Sequence, residues 1–570
     1  MSTAPFQRPD ALAALESQHF DLLVIGGGVT GAGVVLDAAS RGLKVALIER
    51  DDFASGTSSK SSKLIHGGLR YLQQGEVGLV YEALAERQRL LKNAPHLVRL
   101  LPFLIPMFGK NGVIPSKISR VLGMAMWGYD LTGGYRIGKF HKRVTKAEAL
   151  AYYPTLPEAN LVSGYLYYDA AADDARLVVT LLRTAAHDHG AVIANRVSAV
   201  GIGTDAAGKA NSVTVEVADA TAAGGTRRFD IATKAIVNAG GVWSDQIRTL
   251  DEGTDPDSIR PAKGIHITVP HHLVQNTIAA VIPVPKDRRS VFVVRQGDFT
   301  YIGTTDTDYS GSIDDPQCTP EDIDYLIGAI NWACTNTITR DDIVGTWAGL
   351  RPLVKSASSG RTADLSRRHK VRASKTGVIT ITGGKLTTYR RMAKDTVDEV
   401  VSEILGATAP VDSNKCRTKK LRLRGADGFD SVAAAAVGYP AVELSAAEHL
   451  AGRYGGEARA LMGLIQADPS LGETIVAGLP YLKAEVVFAA RFEMAQSVDD
   501  VLSRRTRARL YGRDDSVAAA DEVARLLAIE LGWDEATAAA SAEEYRGWCE
   551  AERAAGGLPH VALSDALATP

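Results

Sequence analysis

The sequence predicts an α/β protein in which a doubly wound nucleotide-binding domain is interleaved with an antiparallel sheet and followed by a helical C-terminal domain. Three observations carry this expectation. A glycine-rich turn lies between two short apolar runs near the start of the chain. A central stretch is rich in β-branched and aromatic residues. After about Pro410 the texture changes to Ala, Glu, Arg and Leu at helical spacing.

From Asp21 the chain reads DLLVIGGGVTGAGVVLDAASRGLKVALIER. Leu22 to Ile25 are uninterruptedly apolar, as a strand buried on both faces requires. Gly26, Gly28 and Gly31 then give G-x-G-x-x-G, a helical run extends to about Arg41, and Val45 to Ile48 form a second buried strand that ends at Glu49. Each position has a task. Gly26 permits the tight turn, Gly28 lets backbone approach a pyrophosphate, and Gly31 allows close packing of helix on strand. The helix N-terminus offers free N–H groups to phosphate. Glu49 is placed to accept from ribose hydroxyls. Glycines alone can serve an ordinary turn, but strand, glycines, helix, strand and acid in this order predict a bound dinucleotide.

The next segment distinguishes between dinucleotides. Thr57 to Tyr71, TSSKSSKLIHGGLRY, is rich in small hydroxyl residues and glycine, suited to laying backbone along an extended cofactor. A simple nicotinamide domain continues at once with another βα unit, so FAD is the expected cofactor. Further on, Ala235 to Asn238 read as a strand ending in Ala-Gly-Gly, and Val378 to Thr382 as a strand leading into Gly383-Gly384. A helical stretch from about Leu386 to Leu405 follows, with Thr387 and Thr388 near its cap. VFVVRQGDFTYIG (291–303) reads as a hairpin turning at Gly297-Asp298. In 491–510, Phe492, Ala495, Val498 and Leu502 are spaced to share one helix face.

Composition narrows the function classes. A chain of 570 residues is too long for one core and predicts two or three domains. The formal charge of −2 gives no global attraction to nucleic acid or lipid. Cys318, Cys334, Cys416 and Cys549 lack metal-site spacing, so no metal is expected, and they fit a reducing cytoplasm. Residues 1–19 read as an N-terminal extension without the pattern of a secretory signal. No run reaches the roughly 20 apolar residues needed to span a bilayer. The basic run Arg504, Arg505, Arg507 and Arg509 reads as a solvated helix face paired with acids rather than a nucleic-acid site.

With these motifs in hand, the chain resembles the FAD-dependent, respiratory-type glycerol-3-phosphate dehydrogenases, a branch of the glutathione-reductase-like, D-amino-acid-oxidase-related flavoproteins. The matching stretches run in order: SSKLIHGGLRYL (61–72), EALAERQRLLKNAPHL (82–97), DDARLV (173–178), NAGGVWSDQI (238–247), KGIHITVP (263–270), YIGTTDTDY (301–309), RDDIVGTWAGLRPL (340–353), TGGKLTTYR (382–390) and DDVLSRRTRARL (499–510). The resemblance implies a glutathione-reductase-like FAD-binding Rossmann domain in three pieces (about 20–85, 155–255 and 340–405). A D-amino-acid-oxidase-like antiparallel substrate domain (about 86–154 and 256–339) would be interleaved with it, and residues 410–570 would form the helical domain.

It also implies oxidation of sn-glycerol 3-phosphate to dihydroxyacetone phosphate, with electrons passed to a membrane quinone, peripheral contact with the inner face of the cell membrane, and a homodimer. Besides Gly26, Gly28, Gly31 and Glu49, the implied FAD contacts are Ser58, Ser59, Lys63, Leu64, His66, Gly67, Gly68, Val197, Gly240, Trp243, Gly384, Leu386 and Thr387. Arg70 and Arg367 would hold the phosphate, with Arg368 an alternative to Arg367, and Tyr71 would shape the pocket. Arg351 would lie nearer the reacting C2 oxygen. His266 is the first choice of general base, since an unperturbed histidine titrates near pH ~6.5. Its alternative is a packed histidine bonded to backbone. Arg351 and Lys385 can instead lower the hydroxyl pKa electrostatically. Two rival readings stay open at this point: an oxidase that uses oxygen, and a flavin-binding redox sensor without turnover.

Overall fold

The computed structural model describes residues 6–68, 76–109, 123, 126–130, 135–218, 225–285, 289–355 and 369–568. Its first layer is a six-stranded sheet. Leu22–Ile25 lies in parallel between Val45–Ile48 and Ile236–Asn238, with Leu22 opposite Val45 and Ile25 opposite Asn238. Val192–Ala194 extends one side, and Ile379–Thr382 then the antiparallel edge strand Lys370–Ala373 extend the other. Both apolar runs predicted from the sequence are strands with every residue buried. They are buried because helices cover the sheet. Helix Val29–Ser40, buried at every position but Thr30, packs against helices Asp174–His189 and Tyr389–Glu399.

The second layer is a ten-stranded, mainly antiparallel sheet. The expected hairpin is present: Ser290–Gln296 pairs with Phe299–Gly303 around Gly297, whose φ of 61° suits glycine in the turn. Ile259–Pro270 takes Phe299–Gly303 and Thr307–Asp308 on one side and Gly345–Val354 on the other. A separate three-stranded antiparallel sheet is formed by Val197–Thr204, Ala210–Ala218 and Thr226–Ala232.

Several expectations are corrected. Strands Leu161–Ala172, Gly345–Val354 and Leu64–Ile65 run in the large sheet, whereas the expected boundaries assigned them to the dinucleotide domain. Residues 491–510 do not form one helix. Helix Lys483–Glu493 stops at Met494 (φ 52°), a separate turn of helix spans Asp500–Arg505, and Arg507 (φ 80°) breaks the chain again. Phe492 therefore packs on a different core from Ala495, Val498 and Leu502.

The arginine run is paired with acids, as expected, but it is not solvated. Arg505 is fully buried, donating to both oxygens of Asp52 at 2.8 and 2.9 Å, and Arg504 donates to Asp52 at 2.6 Å. Arg507 contacts Asp173 and Asp174, and Arg509 contacts Glu552. The run joins the C-terminal helices to the nucleotide-binding domain. Among the described residues, no helix is long and apolar enough to cross a membrane.

Candidate active site

A cavity of about 700 Å³ runs between the two sheets, within the 300–1,000 Å³ range of cofactor and small-ligand sites. One end lies where strands Leu22–Ile25 and Val45–Ile48 stop, at Gly26, Gly28 and Glu49; the other lies against the large sheet at His266 and Arg351.

At the first end, close approach dictates glycine. A Cβ on Gly31 would fall 1.9 Å from the Gly26 carbonyl oxygen, and one on Gly26, whose φ is 113°, 2.7 Å from that of Ala239. Helix Val29–Ser40 therefore opens directly onto the cavity, with Gly28 at its cap and no side-chain cap bond. The Ser58 hydroxyl accepts from the Val29 amide at 2.9 Å. Glu49 accepts from the Gly27 amide at 2.6 Å and the Asp51 amide at 2.9 Å. Burial nevertheless pushes its carboxyl up to about 7.

At the second end, strand register assembles the site. His266 stands opposite Gly303 on one neighbouring strand and Trp347 on the other. It is buried and stacked on Trp347 with centroids 4.6 Å apart, and its Nε2 is 2.8 Å from the Ser62 hydroxyl. Nδ1 has no hydrogen-bond partner among the described residues. Burial, then the charges of Lys63 and Arg351, hold this imidazole well below the usual histidine range, so it is neutral. Arg351 donates to Asp306 at 3.2 Å, the Thr304 hydroxyl at 3.2 Å and the Thr305 carbonyl at 3.1 Å. Lys385, at the cap of the short helix Leu386–Thr388, also lines the cavity.

The loop Thr57–His66 crosses between the two ends and is fixed from three sides. Thr57 donates to the Leu350 carbonyl at 2.6 Å, and Trp347 Nε1 donates to the Ser61 carbonyl at 3.1 Å. Asp174 accepts from the Ser61 amide at 3.1 Å and its hydroxyl at 2.7 Å, while Arg507 of the C-terminal region holds the other Asp174 oxygen. Thr387 accepts from the His66 amide at 3.1 Å.

Of the residues expected from the sequence, the cavity is lined by Gly26, Gly28, Glu49, Ser58, Leu64, His66, Val197, Gly240, Trp243, His266, Arg351, Gly384, Lys385, Leu386 and Thr387. Gly31 packs behind it, in the role expected. Ser59, Lys63, Gly67 and Gly68 do not line it. Lys63 instead points behind Trp347, its ammonium 4.4 Å from the ring centroid, and Gly67 donates to Tyr129 at 3.1 Å and to Asp169 at 3.2 Å. Arg70, Tyr71, Arg367 and Arg368 lie outside the described residues. Sequence reasoning missed Ser62, Trp347 and Thr304. All three sit inside the quoted motifs, but only strand register shows that they touch His266 and Arg351.

Two family models match the chain in order: FAD dependent oxidoreductase over residues 21–390, and the C-terminal domain of alpha-glycerophosphate oxidase over 416–538. Over 575 aligned residues the chain is 38% identical to glycerol-3-phosphate dehydrogenase 2 of Mycobacterium tuberculosis, covering 99% of this chain and 94% of that protein. The chain belongs to the FAD-dependent glycerol-3-phosphate dehydrogenase family. The human mitochondrial glycerol-3-phosphate dehydrogenase is 34% identical, with 93% of this chain and 73% of that protein covered. The crystal structure of the family's Bacillus halodurans member, complexed with FAD, superposes with a TM-score of 0.76 at 29% identity, covering 95% of this chain and 97% of that one.

FAD is accordingly the cofactor. The residues fit it: the glycine cradle admits no Cβ, the N-terminal end of helix Val29–Ser40 faces the cavity, and a carboxyl stands at the ribose position of the fold.

Proposed function

We propose that this chain oxidises sn-glycerol 3-phosphate to dihydroxyacetone phosphate and delivers the electrons to a membrane quinone. The observation that carries this reading is the far end of the cavity, where Arg351, Lys385 and a neutral His266 line one wall of a space continuous with the dinucleotide cradle. When bound, FAD supplies the hydride acceptor for C2. The protein's part is orientation and electrostatics. Gly26, Gly28, Glu49, Ser58, Trp243 and Thr387 would hold the cofactor. Arg70 and Arg367 are assigned the phosphate, which suits the planar fork of arginine. Arg351 and Lys385 stabilise negative charge developing on the C2 oxygen. His266, with Ser62 at its Nε2, takes the hydroxyl proton.

An amine or amino-acid substrate needs a carboxylate clamp but no phosphate receptor, and fits this reading less well. Quinone as acceptor, peripheral attachment to the cytoplasmic face of the membrane and a homodimer follow from the resemblance and are part of the proposal. Steady-state assays with a soluble quinone analogue and with oxygen test the acceptor. Glycerol-3-phosphate-dependent quinone reduction without stoichiometric peroxide is expected; peroxide formed at the rate of substrate loss would make the protein an oxidase.

A further inference from the structure

Behind the wall that carries His266 lies a second cavity, of about 120 Å³, where the large sheet, the nucleotide-binding domain and the C-terminal helices meet. Lys63, Arg99, Arg176, Arg453 and Arg507 all line it, against a single lining carboxylate, Asp173. Glu485, Glu493 and Asp174 pair with Arg453, Arg176 and Arg507 from outside the lining. Arg99 pairs with no carboxylate among the described residues and donates only to the Gln296 side chain, at 2.6 Å. His96, also in the lining, is buried, and its Nδ1 has no hydrogen-bond partner among the described residues. Its Nε2–Cδ2 edge lies near Gly425 and Gly455. Lys63 also pairs with Asp174, so five cations face four carboxylates, and the charge to spare is that of Arg99 at the exposed rim. One uncompensated positive charge beside an unsatisfied buried ring nitrogen suits a bound anion.

We infer that this cavity is a binding site for one small tetrahedral oxyanion such as inorganic phosphate, separate from the substrate site and coupled to it through a shared wall. The wall is made of Lys63 and Tyr301. Lys63 lies over Trp347, on which His266 stacks, and the Tyr301 hydroxyl donates to the Ser62 carbonyl at 3.0 Å. An anion here draws the Lys63 ammonium toward itself and away from Trp347, weakening the positive field on His266 and strengthening it as a proton acceptor. The small volume admits the free ion and excludes its esters.

The test is calorimetric titration of the FAD-loaded enzyme with inorganic phosphate, and separately with glycerol 2-phosphate. It compares wild type with Arg99→Gln and Gly452→Leu. Gly452 lies in helix Leu444–Tyr454 and lines the cavity, and a Cβ there meets nothing within 4 Å, so leucine obstructs the space without straining the helix. The wild type is expected to bind one phosphate that Gly452→Leu loses and Arg99→Gln binds about tenfold more weakly, as loss of a charge-assisted bond implies. Glycerol 2-phosphate should not occupy that site. Identical isotherms for all three proteins, or equal occupation by the ester, would overturn the assignment.

A second readout rests on the role given to His266 above. At saturating glycerol 3-phosphate, phosphate should speed flavin reduction about fivefold in wild type, a modest allosteric coupling, and leave Gly452→Leu unchanged. Binding without acceleration would overturn the coupling and retain the site, so the two claims fail separately.

Discussion

His266 lies flat on Trp347, ring planes 9° apart and centroids 4.6 Å apart, in a chain where the two residues are brought together only as cross-strand neighbours. The stack fixes the imidazole plane, and Ser62 fixes its rotation through Nε2. Burial keeps it uncharged. A proton acceptor that must not be protonated in advance is best built this way.

Replacing His266 with alanine should therefore lower the rate constant for flavin reduction by about 10²-fold or more, the usual contribution of a positioned base, while substrate affinity changes little. Stopped-flow absorbance separates the two. Because the folded imidazole is held below its ordinary value, the acid limb of the wild-type rate profile attributable to this group lies below pH ~6.5, and Ser62→Ala shifts it without abolishing reduction. An unchanged reduction rate in His266→Ala removes the residue from the chemistry.

Two glycine-to-alanine changes should part ways. In Gly31→Ala the new Cβ meets backbone, the Gly26 oxygen at 1.9 Å, so the cradle must open. The protein should purify with little flavin and a lower Tm. In Gly264→Ala the Cβ meets the guanidinium end of the Arg351 side chain at 2.4 Å and the Thr304 hydroxyl at 2.5 Å. That variant should keep its flavin and its Tm but show a kcat lowered about tenfold or more, as loss of a group that stabilises charge developing in the transition state implies. The ratio of flavin to protein absorbance, a thermal melt and a saturation curve decide the matter.

Glu49 gives flavin binding a pH dependence. Its carboxyl is raised to about 7 by burial, and only the ionised form leaves both oxygens as acceptors for ribose. Affinity of the apoprotein for FAD should fall as pH drops through about 7, and Glu49→Gln should be weaker but flat across the same range. Fluorescence titration of FAD between pH 5.5 and 8.5 measures it.

The junction with the C-terminal helices should be costly to break. Burial alone would raise the Asp52 carboxyl, but Arg505 and then Arg504 overrule it and hold it well below the usual carboxylate range. The resulting stabilisation is complete above the unfolded carboxyl's pH ~4 and is lost as pH falls below that. Arg505→Ala leaves a buried carboxylate short of a partner. It should cost about 3 kcal/mol, seen as a Tm several degrees lower at pH 7, with the gap from wild type narrowing in acid.

The nucleotide-binding half of the fold was legible because its signals are local. Leu22–Ile25, Val45–Ile48 and the glycines between them lie within thirty consecutive residues, and their burial follows from uninterrupted apolar runs. The hairpin Ser290–Gln296 with Phe299–Gly303 was legible for the same reason. Where contacts are distant, the sequence was mute. Nothing local marks Leu161–Ala172 as a partner of Val98–Phe108 rather than of the first sheet. Lys63 sits in a cofactor motif, yet φ of 57° turns its side chain behind Trp347 to Asp174. Arg504, Arg505 and Arg507 look like a surface because arginine usually is one; Asp499 and Asp500 are local partners of Arg504, but Asp52, Asp173 and Asp174, which draw the run inside, lie more than 300 residues away.

Anaerobic titration of the purified flavoprotein with sn-glycerol 3-phosphate tests the central claim most directly. The oxidised flavin absorbance should bleach with formation of dihydroxyacetone phosphate in equal amount, and a quinone analogue should restore it. A flavin that stays oxidised at saturating sn-glycerol 3-phosphate would contradict the account.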